Sequence, residues 1–572
     1  MSSTDGQQIA LFIGDMKLFL TAALVLLAVS ATLPAQDTLA PDLKSLGDKR
    51  GKETIAVIVQ FKPGTKAKAR TRLLSRGAAE RLDLGGAVLC DIPANQLAAL
   101  AADPAVEYIS PDRPVSANLD FIQPTVRADV AFTAGITGKG IGIAMIDSGV
   151  SGHKDLSKRI VYEENFVAGE KSSNGEDTNG HGTFVAGVLA GDGNESNSSN
   201  ITRTFRGMAS AAQIINLRVL DANGTGTDSQ VIAAINRAIA LKTQYNIRVI
   251  NLSLGRPVME SYRGDPLDQA VNRAVDAGIV VVVAAGNYGR DNTFGTRGYG
   301  MITSPGNHPR VITVGAMKTL GTVAREDDQI ASYSSKGPTI IDYIAKPDIV
   351  APGNRVASLL ASRGSLNSAY PANLIPVSYY KTTGSKNTSS VYFRMSGTSV
   401  ATPVVSGAVA LMLQKDPTLS PDTVKARLMK TASKEFPTTS TFTDPVTNEV
   451  FTSQYDLFTV GAGYLDVWAA LNSTDVATKP ALSPSTRYDA ATDRAYLVFE
   501  ESAVWGSSAV WGSSAVWGSN AFLADQSALW GSSALWGSSA VWGSSAVWGS
   551  SALWGSSAPQ AAKVSILING EN

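Results

Sequence analysis

Short apolar segments separated by helical stretches recur between residues 141 and 314, and they constrain the fold more than any other feature. The segments show little polar alternation, which is typical of strands buried on both faces of a parallel sheet. We therefore predict an α/β domain with a parallel sheet and helices on both faces. The predicted strands are Ile141–Ile146, Ile214–Val219, Val249–Leu254, Ile279–Ala284 and Arg310–Val314, and the predicted helices are Gly182–Ala190, Ser229–Leu241 and Asp265–Ala277.

Three residues suited to nucleophilic catalysis lie where this fold would expose them. Asp147 closes the first predicted strand, His181 opens a predicted helix between two glycines, and Ser399 precedes the apolar helix Val404–Leu413. A serine hydroxyl needs a base, and the base needs a partner that fixes its tautomer. We predict Ser399 as nucleophile, His181 as base and Asp147 as orienting carboxylate. An N-cap role for Ser399 and a cap or calcium-ligand role for Asp147 are the structural alternatives.

Asn287 follows a buried strand directly, at the edge where ligands of parallel sheets bind. Its side-chain amide can donate a hydrogen bond to an oxygen that becomes negative during acyl transfer. Ser399 at a helix N-terminus adds backbone N–H groups and the positive end of the helix dipole. We predict the Asn287 side chain as an oxyanion donor, together with the backbone N–H of Ser399.

Four short motifs resemble the signatures of subtilisin-like serine endopeptidases. The order Asp, His, Ser is that of subtilisin among the Ser/His/Asp enzymes. The similarity extends from about residue 121 to residue 470, and it implies hydrolysis of peptide bonds through an acyl-enzyme, with no cofactor required for the chemistry. The motifs are Asp147-Ser-Gly149, His181-Gly-Thr183, Ala284-Ala-Gly-Asn287 and Gly397-Thr-Ser-Val-Ala-Thr-Pro403.

The resemblance also implies where a peptide substrate would bind. Two backbone segments would pair with an extended peptide as added strands, and a third would form the wall of the specificity pocket. Backbone pairing reads no side chains, so a small uncharged wall implies a broad preference for apolar or medium-sized residues. Ordinary loop structure is the alternative for the first segment. The residues concerned are Gly224, Thr225 and Gly226, then Ser253, Leu254 and Gly255, and for the wall Ala284, Ala285 and Gly286.

Cysteine and charge content limit the remaining possibilities. Cys90 is the only cysteine, so no intrachain disulfide can form. A secreted protein without disulfides depends on a large core or on metal ions, and Asp155 matches a calcium ligand of some relatives, so the resemblance implies a structural calcium ion. The 49 basic and 49 acidic residues give no net field that would attract nucleic acid or an anionic membrane.

The organisation of the chain predicts a zymogen. Leu18–Val29 is typical of a signal-peptide core, with translation starting at Met16, and a membrane anchor is the alternative. A small α+β unit follows that resembles inhibitory ferredoxin-like propeptides, which implies a cut near Ser116–Leu119; a permanent accessory domain is the alternative. The predicted divisions are a signal peptide at 1–35, a propeptide at 36–118, a catalytic domain at 119–473, a connecting segment at 474–500, tryptophan repeats at 501–557 and a tail at 558–572.

A hexad close to Ala-Val-Trp-Gly-Ser-Ser recurs in the repeats, which hold eight of the nine tryptophans. An even period keeps each tryptophan on one face of a strand and suits a β-solenoid with stacked rings. A flexible Gly/Ser-rich tail with exposed aromatic side chains is the competing interpretation. In either form the repeats could contact glycans or the cell envelope.

Together these features predict a secreted serine endopeptidase whose partners are protein or peptide substrates and its own propeptide. A non-catalytic envelope- or glycan-binding protein that retains the fold is the first alternative. A serine esterase is the second, and two observations disfavour it. Gly397-Thr-Ser-Val-Ala401 ends in alanine where the Gly-x-Ser-x-Gly elbow has glycine, and the order of the three groups differs from Ser, Asp, His.

Overall fold

The chain forms two compact units, Met1–Val115 and Ser116–Asn572. The predicted signal peptide, the predicted cut near Ser116–Leu119 and the tryptophan repeats lie outside the described residues. The computed structural model describes residues 38–40, 43, 53–111, 121–170, 174–197, 200–292, 295–381, 388–445, 447–489, 494–498 and 570–571.

The first unit is a four-stranded antiparallel sheet accompanied by two helices. Its strand order β2-β3-β1-β4 and its βαββαβ chain order are those of the predicted ferredoxin-like fold. Cys90 is buried in its core. Strand β2 carries no apolar alternation, because its sequence Ala-Glu-Arg-Leu-Asp is mostly polar and its side chains are mostly exposed. The elements are β1 Thr54–Phe61, α1 Lys66–Ser75, β2 Ala79–Asp83, β3 Ala87–Pro93, α2 Leu97–Ala101 and β4 Val106–Pro111.

The second unit contains the larger sheet and all the predicted catalytic residues. Its helices are α3 Ile122–Thr125, α4 Ala128–Thr133, α5 His181–Ala190, α6 Asp228–Tyr245, α7 Pro266–Asp276, α8 Ser365–Ala369, α9 Thr398–Lys415, α10 Pro421–Thr431, α11 Leu457–Val460 and α12 Val467–Asn472. Its strands are β5 Gly142–Asp147, β6 Ile160–Asn165, β7 Gln213–Arg218, β8 Ile247–Leu252, β9 Val280–Ala284, β10 Ile312–Lys318, β11 Gln329–Ile330, β12 Ile349–Pro352, β13 Val356–Leu359, β14 Leu374–Pro376, β15 Thr388–Met395, β16 Thr439–Thr443, β17 Val450–Gln454, β18 Ser485–Asp489 and β19 Arg494–Val498.

The large sheet has the order β11-β10-β9-β8-β5-β7-β6, and β12 also pairs with β10. All of these pairs are parallel except β10 with β11. Buried side chains of α5 and α9 form one apolar cluster, and those of α6 and α7 form a second cluster that contains other side chains of the same strands. The predicted α/β fold with helices on both faces is therefore confirmed.

Strand β5 lies between β7 and β8, at the point where the chain changes direction across the sheet. Ligands of open parallel sheets bind beyond the carboxyl ends of the strands at such a point. Asp147 is the last residue of β5 and is fully buried. The topology thus places Asp147 where a ligand would be expected.

Three strands of the large sheet escaped the apolar pattern, and one of them, β11, has only two residues. Strand β6, at the sheet edge, reads Ile-Val-Tyr-Glu-Glu-Asn, and its side chains are mostly half-buried. Strand β12 has only four residues and ends in Pro352, so its buried run is too short to stand out. In the described part of the chain, no helix has the length and hydropathy needed to cross a bilayer.

Candidate active site

Three neighbouring strands end at one edge of the large sheet, and several predicted site residues lie at or just after these ends. β5 ends at Asp147, β8 ends one residue before Ser253, and β9 ends with Ala284. Because parallel strands share a direction, their carboxyl ends meet at the same edge. Helix α9 packs across β8, β9 and β10 and brings Ser399 to this edge.

His181 and Asp147 are in direct contact although they are 34 residues apart. The Nδ1 atom of His181 lies 2.7 Å from Oδ1 of Asp147, which also accepts a hydrogen bond of 2.7 Å from the backbone N–H of Ser148. Since the carboxylate can only accept, Nδ1 carries the proton and Nε2 is left as the basic nitrogen. This tautomer is the one that a general base requires.

The environment of His181 favours its protonated form. Burial disfavours the imidazolium, but the charge of Asp147, the hydrogen bond to Asp147 and the charge of Asp177 all favour it. The net effect raises the pKa of His181 above its ordinary value. Asp147 thus both orients the ring and stabilises the cation that forms when Nε2 accepts a proton.

Asp177 is a buried carboxylate that fixes the local backbone of this site, and the sequence motifs did not indicate it. Its carboxylate accepts hydrogen bonds from five donors: the backbone N–H groups of Asn179, Gly180 and Thr183 and the hydroxyls of Ser148 and Thr183. Burial raises the pKa of Asp177, although these donors favour the carboxylate. An acidic residue four positions before a helix start is the signal in the sequence that would have indicated it.

The turn after β5 and the start of α5 are also joined through Gly182. The N–H of Gly182 donates a 2.8 Å hydrogen bond to Oγ of Ser148. A Cβ atom at Gly182 would lie 2.1 Å from the carbonyl oxygen of Gly149, closer than any real contact. Only glycine fits here, so the glycine beside His181 sets how closely the helix approaches the Asp147 turn.

Ser399 is the second residue of α9 and is 7% exposed. The chain enters the helix through Gly397, whose φ of 149° favours glycine. The carbonyl of Ser399 accepts a 2.7 Å hydrogen bond from the hydroxyl of Ser253, which fixes the first turn to the end of β8. Among the described residues, Oγ of Ser399 has no hydrogen-bond partner, and this includes His181.

The amide of Asn287 is held with its nitrogen free to donate. Its Oδ1 accepts from the backbone N–H of Thr398 at 2.9 Å and from the Thr398 hydroxyl at 3.0 Å. Two donors on this atom identify it as the oxygen, so the other atom is Nδ2. A Cβ placed on Gly397 would lie 3.0 Å from Oγ of Ser399 and 3.1 Å from Nδ2 of Asn287. The predicted nucleophile and oxyanion donor therefore border the same small volume.

The two predicted peptide-binding segments lie at the protein surface. Gly224, Thr225 and Gly226 are exposed, as is Gly255, whereas Leu254 is half-buried and Ser253 is buried. Among the described residues, the main chains of Gly226, Leu254 and Gly255 form no hydrogen bond to other main-chain groups. Unpaired backbone of this kind can add a peptide strand, but whether it does so stays a prediction.

The predicted pocket wall contains the buried Ala284 and Ala285 and the half-buried Gly286. Thr303, which sequence reasoning missed, fills the space between this wall and the segment at Gly255. A Cβ at Gly255 would lie 2.6 Å from Oγ1 of Thr303, and a Cβ at Gly286 would lie 2.9 Å from its Cγ2. No signal in the sequence links Thr303 to residues so distant along the chain.

Asp155, the predicted calcium ligand, is buried and already holds two protein donors. Its Oδ1 accepts from the N–H of Glu195 at 2.7 Å, and its Oδ2 accepts from the hydroxyl of Tyr392 at 3.1 Å. Within the described residues, no three Asp, Glu, His or Cys side chains are grouped as a metal site. The carboxylate set does not fit calcium well, and ligation by Asp155 stays a prediction that melting with and without EDTA would test.

The site combines a buried carboxylate, an oriented imidazole, a serine at a helix N-terminus and an amide donor. These are the groups that serine hydrolases use for catalysis. Comparison with known proteins identifies the family of this chain. Residues 138–483 match the subtilase family, and the chain belongs to this family.

Two sequence relatives of known name agree with this assignment. The chain is similar to serine protease AprX of Bacillus subtilis (strain 168), with 38% identity over 52% of this chain and 62% of that protein. It is also similar to subtilisin DY of Bacillus licheniformis, with 35% identity over 54% of this chain and 90% of that protein. A solved structure of a cold adapted subtilisin-like serine proteinase is 28% identical, with a TM-score of 0.38 over 57% of this chain and 88% of that chain. The alignment with AprX thus covers less than two thirds of the relative's length.

Proposed function

We propose that this chain hydrolyses peptide bonds of proteins through Ser399, His181 and Asp147. The observation that carries the proposal is the 2.7 Å contact between Nδ1 of His181 and the buried carboxylate of Asp147. This contact leaves Nε2 as a base at the sheet edge to which α9 brings the Ser399 hydroxyl, which has no hydrogen-bond partner among the described residues. Hydrogen bonds in such sites are often long until substrate binds, so an unmade bond between serine and imidazole is compatible with catalysis.

In the proposed reaction, Oγ of Ser399 attacks the carbonyl carbon while Nε2 of His181 accepts the hydroxyl proton. The carbonyl oxygen becomes negative and accepts hydrogen bonds from Nδ2 of Asn287 and the backbone N–H of Ser399. The imidazolium, stabilised by Asp147, then gives its proton to the leaving amine, and an acyl-enzyme remains. Water attacks the acyl-enzyme with the same base, and the carboxylic acid and free serine are regenerated.

Substrate would bind mainly through its backbone. Within the described residues, the main chains of Gly226, Leu254 and Gly255 make no hydrogen bond to other main-chain groups, so they could add a peptide as an extra strand. The small side chains of Ala284 and Ala285, with Thr303 between the segments, offer no charge to select a substrate side chain. We therefore expect broad specificity for apolar and medium-sized residues.

A sulfonyl fluoride tests the assignment directly, because it sulfonylates an activated serine and releases fluoride. The full chain is treated with phenylmethylsulfonyl fluoride and digested, and the peptide that gains mass is sequenced. We expect the label on Ser399 together with loss of casein hydrolysis. Ser406→Ala, on the same helix, is the matched control and should keep both labelling and activity; label at another serine would contradict the proposal.

We also infer that the chain is exported and matures itself. The first unit is a ferredoxin-like domain with its own core, and a Thermus relative that is 34% identical is named an extracellular serine proteinase. The test is the mass of the full chain over time, beside Ser399→Ala. Loss of roughly the first hundred residues in the wild type alone would support self-processing. If both chains stay intact while the wild type hydrolyses casein, self-processing is wrong but the peptidase assignment stands.

A further inference from the structure

Glu571 is a buried carboxylate far outside the matched family region. It is 2% exposed. Its Oε1 accepts from Nη2 of Arg290 at 2.9 Å, from the backbone N–H of Ser332 at 2.8 Å and from the Ser332 hydroxyl. Its Oε2 lies 2.9 Å from Nζ of Lys318, an ion pair without hydrogen-bond geometry. The main chain of Glu571 makes two hydrogen bonds with the amide of Asn354, one in each direction, of 2.7 and 2.8 Å.

The surroundings of this carboxylate form a prepared cationic pocket. Arg290 also pairs with Asp444 at 3.0 Å, and its guanidinium lies 4.7 Å from the ring centre of Phe442 and 5.2 Å from that of Phe451. These three residues belong to, or directly follow, strands of the β16–β17 hairpin, which thus covers the pocket. A guanidinium stacked on aromatic rings is fixed in orientation and presents its fork to a carboxylate.

Among the described residues, the charges that form ion pairs in this pocket balance only when Glu571 is present. Arg290 and Lys318 carry two positive charges, and Asp444 and Glu571 carry two negative charges. Lys318 is 2% exposed, and the one carboxylate within ion-pair distance of it among the described residues is that of Glu571. A buried cation without a counter-charge is strongly unfavourable, so the pocket requires an anion.

The pocket adjoins the loops that carry the predicted oxyanion donors. Arg290 follows Asn287 by three residues on the loop after β9. Asn354 is preceded by Gly353, whose carbonyl accepts a 2.8 Å hydrogen bond from the N–H of Gly397. Gly397 in turn borders Nδ2 of Asn287 and Oγ of Ser399.

A second connection runs through Ser396, three residues before Ser399. Its hydroxyl accepts a 2.8 Å hydrogen bond from the N–H of Arg355. A Cβ on Gly570 would lie only 2.2 Å from the same hydroxyl oxygen, so the Glu571 segment packs against the turn that leads into α9. The Glu571 segment therefore contacts both the loop that carries Asn287 and the turn that leads to Ser399.

We propose that Arg290, Lys318, Ser332 and Asn354 form a carboxylate-binding site whose ligand is the chain's own Glu571, and that its occupation positions the loops bearing Asn287 and Ser399. Glu571 acts in this proposal as a positioning residue, since it touches no substrate. The part concerned with turnover rests on the proposed peptidase function, whereas the part concerned with docking does not.

Docking is tested by a double-mutant cycle on the full chain in the background of Ser399→Ala, which prevents self-digestion. The variants are Lys318→Met, Glu571→Gln and the pair of both, and the readout is the melting temperature. If the two side chains pair, each single variant should melt several degrees lower, and the double variant should lose clearly less than the sum of the two losses. Additive losses, or no loss, would overturn the docking site. Glu449→Gln, an exposed glutamate on the covering hairpin, should leave the melting temperature unchanged.

Positioning is tested by turnover of chains with an intact Ser399, with concentrations set by active-site titration. We expect Glu571→Gln to lower kcat about 10-fold to 100-fold with KM little changed, because misplaced oxyanion donors weaken transition-state binding and leave ground-state binding intact. Glu449→Gln should match the wild type. An unchanged kcat for Glu571→Gln overturns positioning even if docking holds. A wild type without activity would contradict the proposed function. Docking would then be decided by the melting temperatures of the double-mutant cycle alone.

Discussion

The hydroxyl of Ser399 is buried and makes no hydrogen bond to the described residues, which is costly for a folded protein. Such groups are rare in native structures and are concentrated where chemistry needs them. The neighbouring Ser253 shows the usual behaviour, since its hydroxyl donates to the carbonyl of Ser399 at 2.7 Å. The unpaired hydroxyl thus lowers stability locally, and in the proposed function it leaves the nucleophile available to substrate.

Replacement of Asn287 separates its two roles. Asn287→Ala removes the Nδ2 donor and the anchor to Thr398, and we expect kcat to fall roughly 100- to 1,000-fold, the loss known for an oxyanion-hole asparagine in subtilisin. Asn287→Asp keeps an oxygen that accepts from the backbone N–H and hydroxyl of Thr398 but has no donor. Steady-state kinetics should show it at least as slow as the alanine variant. An aspartate variant with near wild-type kcat would exclude the donor role.

The pH dependence of activity follows from the environment of His181. The base must be neutral, and Asp147 and Asp177 raise its pKa above the ordinary value of about 6.5. We expect kcat/KM to rise with pH through that raised pKa and to be lost below it. In Asp177→Asn the rise should move to lower pH, because one of the charges that favour the imidazolium is gone. A profile that stays flat from pH 9 to pH 5 would contradict His181 as the base.

The start of helix α5 tolerates no side chain at its second residue. In Gly182→Ala the new methyl would meet the carbonyl oxygen of Gly149, so the helix and the Asp147 turn must move apart. We expect a loss of about 1–3 kcal/mol in the free energy of unfolding, as for other overpacked positions, together with lower kcat. Gly152→Ala, where a Cβ would have no atom within 4 Å, is the control and should change neither. Equal denaturation midpoints for both variants would show that the approach is not tight.

Helix α7 carries a buried carboxyl group that opposes stability at high pH. Burial, and then the charge of Asp265, raise the pKa of Asp268 to about 8. The unfolded carboxyl loses its proton near pH 4, so the folded state binds more protons between pH 4 and pH 8, and stability falls as pH rises across this window. Asp268→Asn should therefore melt higher than the wild type at pH 9 and about equally at pH 4. A variant that is less stable at pH 9 would show that the carboxylate is needed.

Continuous apolar runs made most of the catalytic unit predictable. Strands such as β5 and β9 are buried on both faces, so their apolar runs predict them directly. The rule that parallel carboxyl ends meet placed Asp147 and Asn287 at the same edge of the sheet. Polar or very short strands such as β6 and β12 carry no such signal.

Contacts between distant loops were not predictable from pattern at all. Thr303 reaches the peptide-binding segments through the tertiary fold, and Glu571 finds Arg290 across 281 residues. A sequence records the charge of each partner but not their proximity. These contacts depend on the shapes of the loops after β9 and β12, and the local pattern of a single sequence does not determine those shapes.

The burial of Glu571 has a consequence for the stretch that contains the tryptophan repeats. The N–H of Thr486 donates a 2.7 Å hydrogen bond to the carbonyl of Tyr343, and Glu571 accepts from Arg290. The chain is therefore attached to the rest of the second unit both before and after residues 487–570. A covalent linkage of this kind keeps the carboxylate at a high effective concentration near its pocket.

A single cut in that stretch would turn the internal contact into a bimolecular one. We expect an enzyme with a site-specific protease sequence inserted after Gly518 to keep its turnover after cleavage at high concentration and to lose it on dilution. The uncut enzyme should be indifferent to dilution, and so should a cleaved chain that carries Glu571→Gln, whose turnover is already low. The specific activity would then depend on whether the repeat stretch is intact. For a chain cut in that stretch, it would also depend on the protein concentration.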